Sequence, residues 1–256
     1  MTAQIEQHLE TIPEPLREGV QRQWESFREK AAEQELTLPD EPALYEELVR
    51  VWAGSGYVAA QCARAPEILL ELVESGDLQQ AYADNEYVRR LSEQFAHVST
   101  DVQLADVLRR FRNREMVRIA WRDLTGKAEL REVTADLSAM ADACIDESLS
   151  CLHDWHVEQW GSPCDAEGQP QRMVVLGMGK LGARELNFSS DIDLIFAYPE
   201  DGETRGARRS IDNREFFVRL GQRLITALDK PTARGFVFRV DMRLRPFGAS
   251  SALAAS

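Results

Sequence analysis

Two aspartates, Asp191 and Asp193, stand two residues apart behind a glycine-rich turn, Gly177-Met-Gly-Lys-Leu-Gly182, and a third, Asp241, lies fifty residues beyond Asp191. In a strand, residues i and i+2 point to one face, roughly 6.6 Å apart along the chain. Asp191 and Asp193 can therefore converge, with Asp241 arriving from a later segment. Three crowded carboxylates repel one another unless cations neutralise them. Hard cations such as Mg²⁺ favour carboxylate and phosphate oxygens. A glycine turn beside such a triad suits metal-assisted transfer of phosphoryl or nucleotidyl groups. Asp191 and Asp193 are the expected holders of one or two Mg²⁺, with Mn²⁺ as the alternative. Asp241 is expected to complete the site and to orient or deprotonate a nucleophile.

Around the acids stand candidates for phosphate. Backbone N–H groups at Gly177 and Gly179, with the helix start behind them, can steady phosphate oxygens. Lys180 can reach the same oxygens, although the Gly-Lys-Ser/Thr ending of a P-loop is missing. Ser189 and Ser190 precede the first acid and join this set. Arg243 and Arg245 alternate after Asp241, so they share its face and can grip phosphate in a bidentate manner, structural ion pairing being the plainer use. A lone Gly-x-Gly or Asp-Ile-Asp is ordinary turn chemistry. Here the acids open a hydrophobic run, where an unpaired carboxylate is costly. The glycine spacing also brings a dinucleotide fold to mind, but the next strand begins too soon for it.

The elements that must position these residues change character along the chain. Up to about residue 165 the signals are helical, with stripes at Leu44, Leu48, Val51, Trp52, then Ile68, Leu69, Leu72, Val73 behind Pro66, then Leu104, Val107, Leu108, Phe111. A long stripe through Leu137, Met140, Cys144, Leu149, Leu152 and His156 follows. Gly161 to Gly168 is turn-rich and marks the predicted boundary between a helical region, 1–165, and a catalytic core, 166–256. In the core, Met173–Leu176 is predicted as a short buried strand, Leu181–Leu186 as a helical turn or two, Asp191–Tyr198 as a strand and Phe236–Asp241 as another. Asp212 and Glu215 form a capping box before a helix with Phe216, Phe217, Leu220, Leu224, Ile225 and Leu228 on one face. The fold class is α+β: a small mixed sheet flanked by helices, behind a helical lead-in.

Charge narrows the partners. The chain carries 30 basic and 43 acidic residues, net −13. Residues 171–256 hold 14 basic and 10 acidic residues, +4, so the first 170 are at −17. A nucleotide or phosphate suits the basic part, whereas a nucleic acid is disfavoured because its binding rests on phosphate neutralisation. The arginines at 109, 110, 112, 114, 118 and 122 have acidic neighbours, so packing or a solvated face is expected of them rather than RNA binding. No apolar run is long enough for a membrane span, and the first residues lack a secretory signal, so a cytoplasmic protein is expected. Cys151, His153, His156 and Cys164 lie close in sequence, but their spacing fits no compact zinc pattern.

Gly179, eleven residues, then Asp191-x-Asp193 resembles the signature of the polymerase β-type nucleotidyltransferases. The longer text from Leu176 to Phe196, Asp212-Asn-Arg-Glu-Phe-Phe and Phe238-Arg-Val-Asp-Met-Arg-Leu-Arg-Pro-Phe-Gly248 closely resembles the bifunctional glutamine synthetase adenylyltransferase/adenylyl-removing family. Met116–Arg122 and Glu158–Cys164 resemble it too. The resemblance implies a polymerase β-like domain with Asp191, Asp193 and Asp241 as metal-binding acids. It implies glutamine synthetase as partner, with phosphate, ADP and ATP as small substrates and a PII-type signal protein as a regulator. Asn187-Phe-Ser-Ser resembles the amino-terminal, adenylyl-removing half, which takes the AMP group off a tyrosine by phosphorolysis, giving ADP. The family continues well past the third acid, and Ala249–Ser256 replaces its usual continuation, so a truncated core is expected. The alternatives are another polymerase β-type enzyme or a silent nucleotide-binding fragment.

Overall fold

The structure is a computed structural model that describes residues 3–244 and 252–256. Packing divides the chain into two compact units, 1–84 with 112–136, and 85–111 with 137–256. The predicted boundary at 165/166 follows composition; the packing units divide the chain at 84/85, between helices, and at 111/112 and 136/137, within them.

The first unit is helical. It contains α1 (Ala3–Leu9), α2 (Glu14–Glu33), α3 (Pro42–Gly54), α4 (Gly56–Arg64) and α5 (Pro66–Glu74). Prolines open α3 and α5, where a missing N–H costs nothing. Ser55 caps α4 by accepting from the Val58 N–H at 3.3 Å. The predicted stripes are the buried faces: Leu48, Val51 and Leu72 are wholly inside. Trp24 stacks on Phe27 at 5.4 Å and meets Tyr45 edge-on at 5.6 Å.

Of the arginine cluster, three members serve this unit. They lie on the later part of α7 (Asp101–Leu124). Arg114 pairs with Asp77 at 2.5 Å, Arg118 with Asp136 at 2.9 Å and Arg122 with Glu132 at 2.7 Å. Arg118 also lies over the Tyr82 ring, 3.4 Å from its centroid. These guanidiniums are internal ties, the packing role expected from their acidic neighbours.

The second unit carries the sheet. It contains α6 (Glu86–Phe95), the start of α7, most of α8 (Leu130–Trp160), β1 (Ser162–Cys164), β2 (Val174–Met178), α9 (Gly179–Gly182), β3 (Ile192–Ala197), β4 (Glu203–Arg205), α10 (Asn213–Asp229), β5 (Val240–Asp241) and β6 (Ala254–Ala255). β2 pairs antiparallel with β3, and β5 and β6 pair parallel with β3. β1 and β4 form a separate two-stranded sheet. One face of β3, with Ile192, Leu194 and Phe196, is buried. α10 lies on that face closely enough that a Cβ on Gly221 would come within 2.7 Å of the Phe196 ring. The predicted capping box holds in its first half: the Asp212 carboxylate accepts from the Glu215 N–H at 2.7 Å. Arg109, 1% exposed, closes the other end of α10, donating to the carbonyls of Ala227 at 3.1 Å, Gly235 at 2.9 Å and Lys230. A cation at a helix C-terminus meets the negative end of the backbone dipole.

Two strand expectations are corrected. Met173–Leu176 is not a buried strand: β2 runs from 174 to 178, and Val174 and Leu176 are 49% and 46% exposed. Its apolar sequence reflects an open face rather than burial on both sides. The strand expected over Phe236–Asp241 shrinks to Val240–Asp241 because the Val237 and Phe238 N–H groups donate to the Leu228 carbonyl at the end of α10.

His153 and His156 on α8 are buried and meet the Phe216 ring edge-on at 5.7 and 5.6 Å. Burial first, then the nearby arginines Arg172 and Arg223, lower both imidazole pKa values. Burial also pushes the Cys151 thiol up to about 11, away from the thiolate a metal needs. The fold thus favours neutral histidines, and the unfolded chain binds protons first as pH falls. Stability is expected to be full above about pH 6.5 and to decline as pH drops through the depressed folded values. Thermal unfolding from pH 7.5 to 5 checks this, and a double His153→Gln, His156→Gln variant should flatten the slope.

Candidate functional site

The glycine turn is built by contact. Gly179 has φ +56°, a conformation side chains avoid, and a Cβ there would come within 2.8 Å of an Asp193 carboxylate oxygen. Gly182 sits so near the Gly177 carbonyl that a Cβ would approach it to 2.5 Å. The short helix α9 can therefore fold back on β2 and hold its start beside Asp193. The loop behind it is anchored by Leu186, buried, whose N–H donates to the Ser138 hydroxyl at 3.3 Å.

The strand register brings the acids together. Asp193 is the direct partner of Asp241 on β5 and of Met178 on β2. Partners in register share a face, so Asp193 and Asp241 stand side by side on the face away from α10. Asp191 sits just ahead of β3, exposed, and Arg239 holds it at 2.6 Å. Arg239 also donates to the Ser189 carbonyl at 3.3 Å, tying the loop to β5's approach.

Arg243 turns back onto Asp241 at 2.5 Å, and its backbone N–H donates to the same carboxylate at 2.8 Å. The hydrogen bond from Arg243 holds the Asp241 pKa below its usual value. Arg243 is raised in turn, by Asp241 foremost and by the fields of Asp193 and Asp191. One guanidinium thus feels all three acids. Its side chain is 89% exposed, so the pair is a weak surface tie that a stronger cation can displace.

The remaining candidates fall into place unevenly. Lys180 is exposed on α9. The Asn187 side chain accepts from the Ser190 hydroxyl at 2.6 Å and from the Ser189 N–H at 3.3 Å, so these serines shape the loop before Asp191. Arg245 lies outside the described residues. Arg239 escaped the sequence reading, though its place two residues before Asp241 was the available signal.

A hard cation suits the chemistry of this donor set, which is carboxylate oxygen on one sheet face, beside a glycine that leaves room for it. As placed, no three metal-binding side chains close on one point among the described residues. Asp191 and Asp241 are instead turned to Arg239 and Arg243, which a divalent cation on these carboxylates would have to displace. A cleft of about 660 Å³ elsewhere in this unit is lined by α7 and α10, with Asp101–Arg223 and Asp106–Arg234 pairs; none of the three acids lines it. Among the described residues no helix is long and apolar enough to cross a membrane.

Comparison with known proteins fits this geometry. The chain is 51% identical over 250 residues to a bifunctional glutamine synthetase adenylyltransferase/adenylyl-removing enzyme of Nitrosococcus oceani, covering 97% of the chain and 26% of that relative. It is 56% identical over 212 residues to the enzyme of that description from Pseudomonas aeruginosa, covering 82% of the chain and 22% of the relative. The chain thus spans about a quarter of the length of these relatives. The family model described as glutamate-ammonia ligase adenylyltransferase matches residues 45–256, and the chain belongs to that family.

Proposed function

We propose that this chain carries the adenylyl-removing centre of a bifunctional regulator of glutamine synthetase. Inorganic phosphate attacks the AMP phosphorus on a tyrosyl ester, the ester P–O bond breaks, and ADP and free tyrosine leave. The other activity in the relatives' description adds AMP, here read as drawn from ATP. The observation that carries this is the acid row, Asp193 beside Asp241 with Asp191 two residues away, in a member of this family. The likeness of Asn187-Phe-Ser-Ser to the amino-terminal half supports removal over addition.

In this reading Asp191 and Asp193 hold Mg²⁺, or Mn²⁺ in its place, and Asp241 completes the set. When bound, the ion neutralises the acid row and polarises the phosphoryl oxygens. The α9 start and the Gly177–Gly179 backbone steady the phosphate, with Lys180 and the loop of Ser189 and Ser190 at its side. Arg243, released from Asp241, neutralises the phosphate dianion as it approaches an anionic ester; Arg245 is proposed to do the same. Tyrosine's phenolate leaves and takes a proton from water. A PII-type protein as regulator and a cytoplasmic setting belong to this proposal, and a nucleic-acid substrate does not. A silent nucleotide-binding piece is the second reading, favoured by the arginines that now occupy Asp191 and Asp241.

The test is product identity. Adenylylated glutamine synthetase, Mg²⁺ and the chain should yield ADP only when phosphate is present, with a full-length relative assayed in parallel. AMP released without phosphate refutes phosphorolysis, and AMP only added from ATP refutes removal; activity in the relative and silence in the chain selects the second reading. Arg243→Ala should raise the phosphate requirement roughly tenfold while metal affinity changes much less.

A further inference from the structure

The face that carries Asp193 and Asp241 does not become polar away from the acids. Next to Met178–Asp193 come the register pairs Leu176–Ile195 and Val174–Ala197. Val174, Leu176 and Met178 are 49%, 46% and 36% exposed. A half-solvated antiparallel sheet ordinarily alternates apolar inside with polar outside. Here the outside is apolar too, and contiguous exposed apolar surface of this kind marks a binding site.

A second observation concerns the backbone. Among the described residues β2 pairs with β3 and with no other strand, so none of them pairs as a strand with its outer edge. A free edge is a template for another strand. Edge and exposed side chains together fit one kind of ligand, an extended peptide. Main-chain bonds to β2 would give affinity, and alternate side chains on the acid face would give selectivity. A small apolar ligand would need the side chains and not the edge.

The register fixes what such a peptide must carry. Added beside β2, its residue opposite Met178 lies in the acid row, and its residues two and four positions away lie beside Leu176 and Val174. We propose that the β2 edge docks the target protein's modified segment as an added strand, placing the tyrosine in the Met178–Asp193–Asp241 row and apolar residues at alternate positions beyond it. The proposal rests on the adenylyl-removal reading for the identity of the tyrosine. It goes further in assigning Val174 and Leu176, neither of them an acid or a glycine of the motif, to recognition of the protein substrate.

Hydrogen exchange on the whole chain tests it. The probe is a synthetic peptide of about a dozen residues spanning the modifiable tyrosine of glutamine synthetase. On adding it, the amides of residues 174–178 should exchange more slowly. The same peptide N-methylated at alternate residues should give no protection, because strand pairing is blocked. Leu176→Glu, at an exposed position that leaves the fold intact by circular dichroism, should weaken binding roughly tenfold or more. Asp193→Asn should bind the peptide normally, which separates docking from chemistry. Equal binding by the N-methylated peptide, unchanged binding by Leu176→Glu, protection confined to other segments, or no binding overturns the docking proposal and leaves the product assay to judge the reaction. Self-association of the chain through β2, lost in Leu176→Glu, overturns it as well and makes a second copy the occupant.

Discussion

Asp193→Asn is expected to abolish the proposed adenylyl removal, by on the order of 10³-fold or more, while the chain remains folded. Asp193 is the geometric centre of the site: it faces Asp241 and Met178 in register, and its carboxylate occupies the space a side chain at Gly179 would need. Asparagine has nearly the same shape, so the sheet and turn should survive. What it lacks is the charge that a hard cation needs, and its amide offers one acceptor oxygen in place of two. Loss of one of three neighbouring negative charges removes repulsion, so the melting temperature should stay or rise slightly. Turnover near wild type, or a fall in melting temperature of many degrees, would remove Asp193 from the proposed role.

Arg118→Ala should produce the largest loss of stability. Arg118 is fully buried, pairs with Asp136 at 2.9 Å, donates to the carbonyls of Asp77 at 3.2 Å and Gln80 at 2.7 Å, and lies over Tyr82. Removing the fully buried guanidinium strands a half-buried carboxylate and two carbonyls, which costs about 3 kcal/mol or more. For a chain of this size that is a drop of roughly 10 °C in melting temperature. Arg118→Met with Asp136→Leu should recover part of the loss, because the stranded charge is then gone. A single Arg118→Ala variant that melts within a degree of wild type contradicts the packing account.

The helices were legible in the sequence because their determinants are local. Leu48, Val51 and Leu72 recur at helical spacing, prolines mark two helix starts, and Asp212 announces α10. Asp193 was legible as a strand residue from local alternation, whereas Asp191 stands just ahead of β3 and the pairing of Asp193 with Asp241 depends on the parallel β3–β5 register, which spacing does not give. The edge character of β2 was not legible: Val174-Val-Leu reads as buried until its neighbours are known. The shortened β5 depends on Val237 and Phe238 bonding to Leu228, a contact across several elements. The claim of Arg239 and Arg243 on Asp191 and Asp241 depends on side-chain direction, which spacing leaves open.

The central claim, that the three acids form one cation site on the open sheet face, is tested most directly by Mn²⁺ titration of the purified chain followed by electron paramagnetic resonance. Wild type should bind Mn²⁺, Mg²⁺ should compete, and Asp193→Asn should weaken binding roughly tenfold or more while Lys180→Ala leaves it nearly unchanged. Equal Mn²⁺ affinity in wild type and Asp193→Asn would contradict the account.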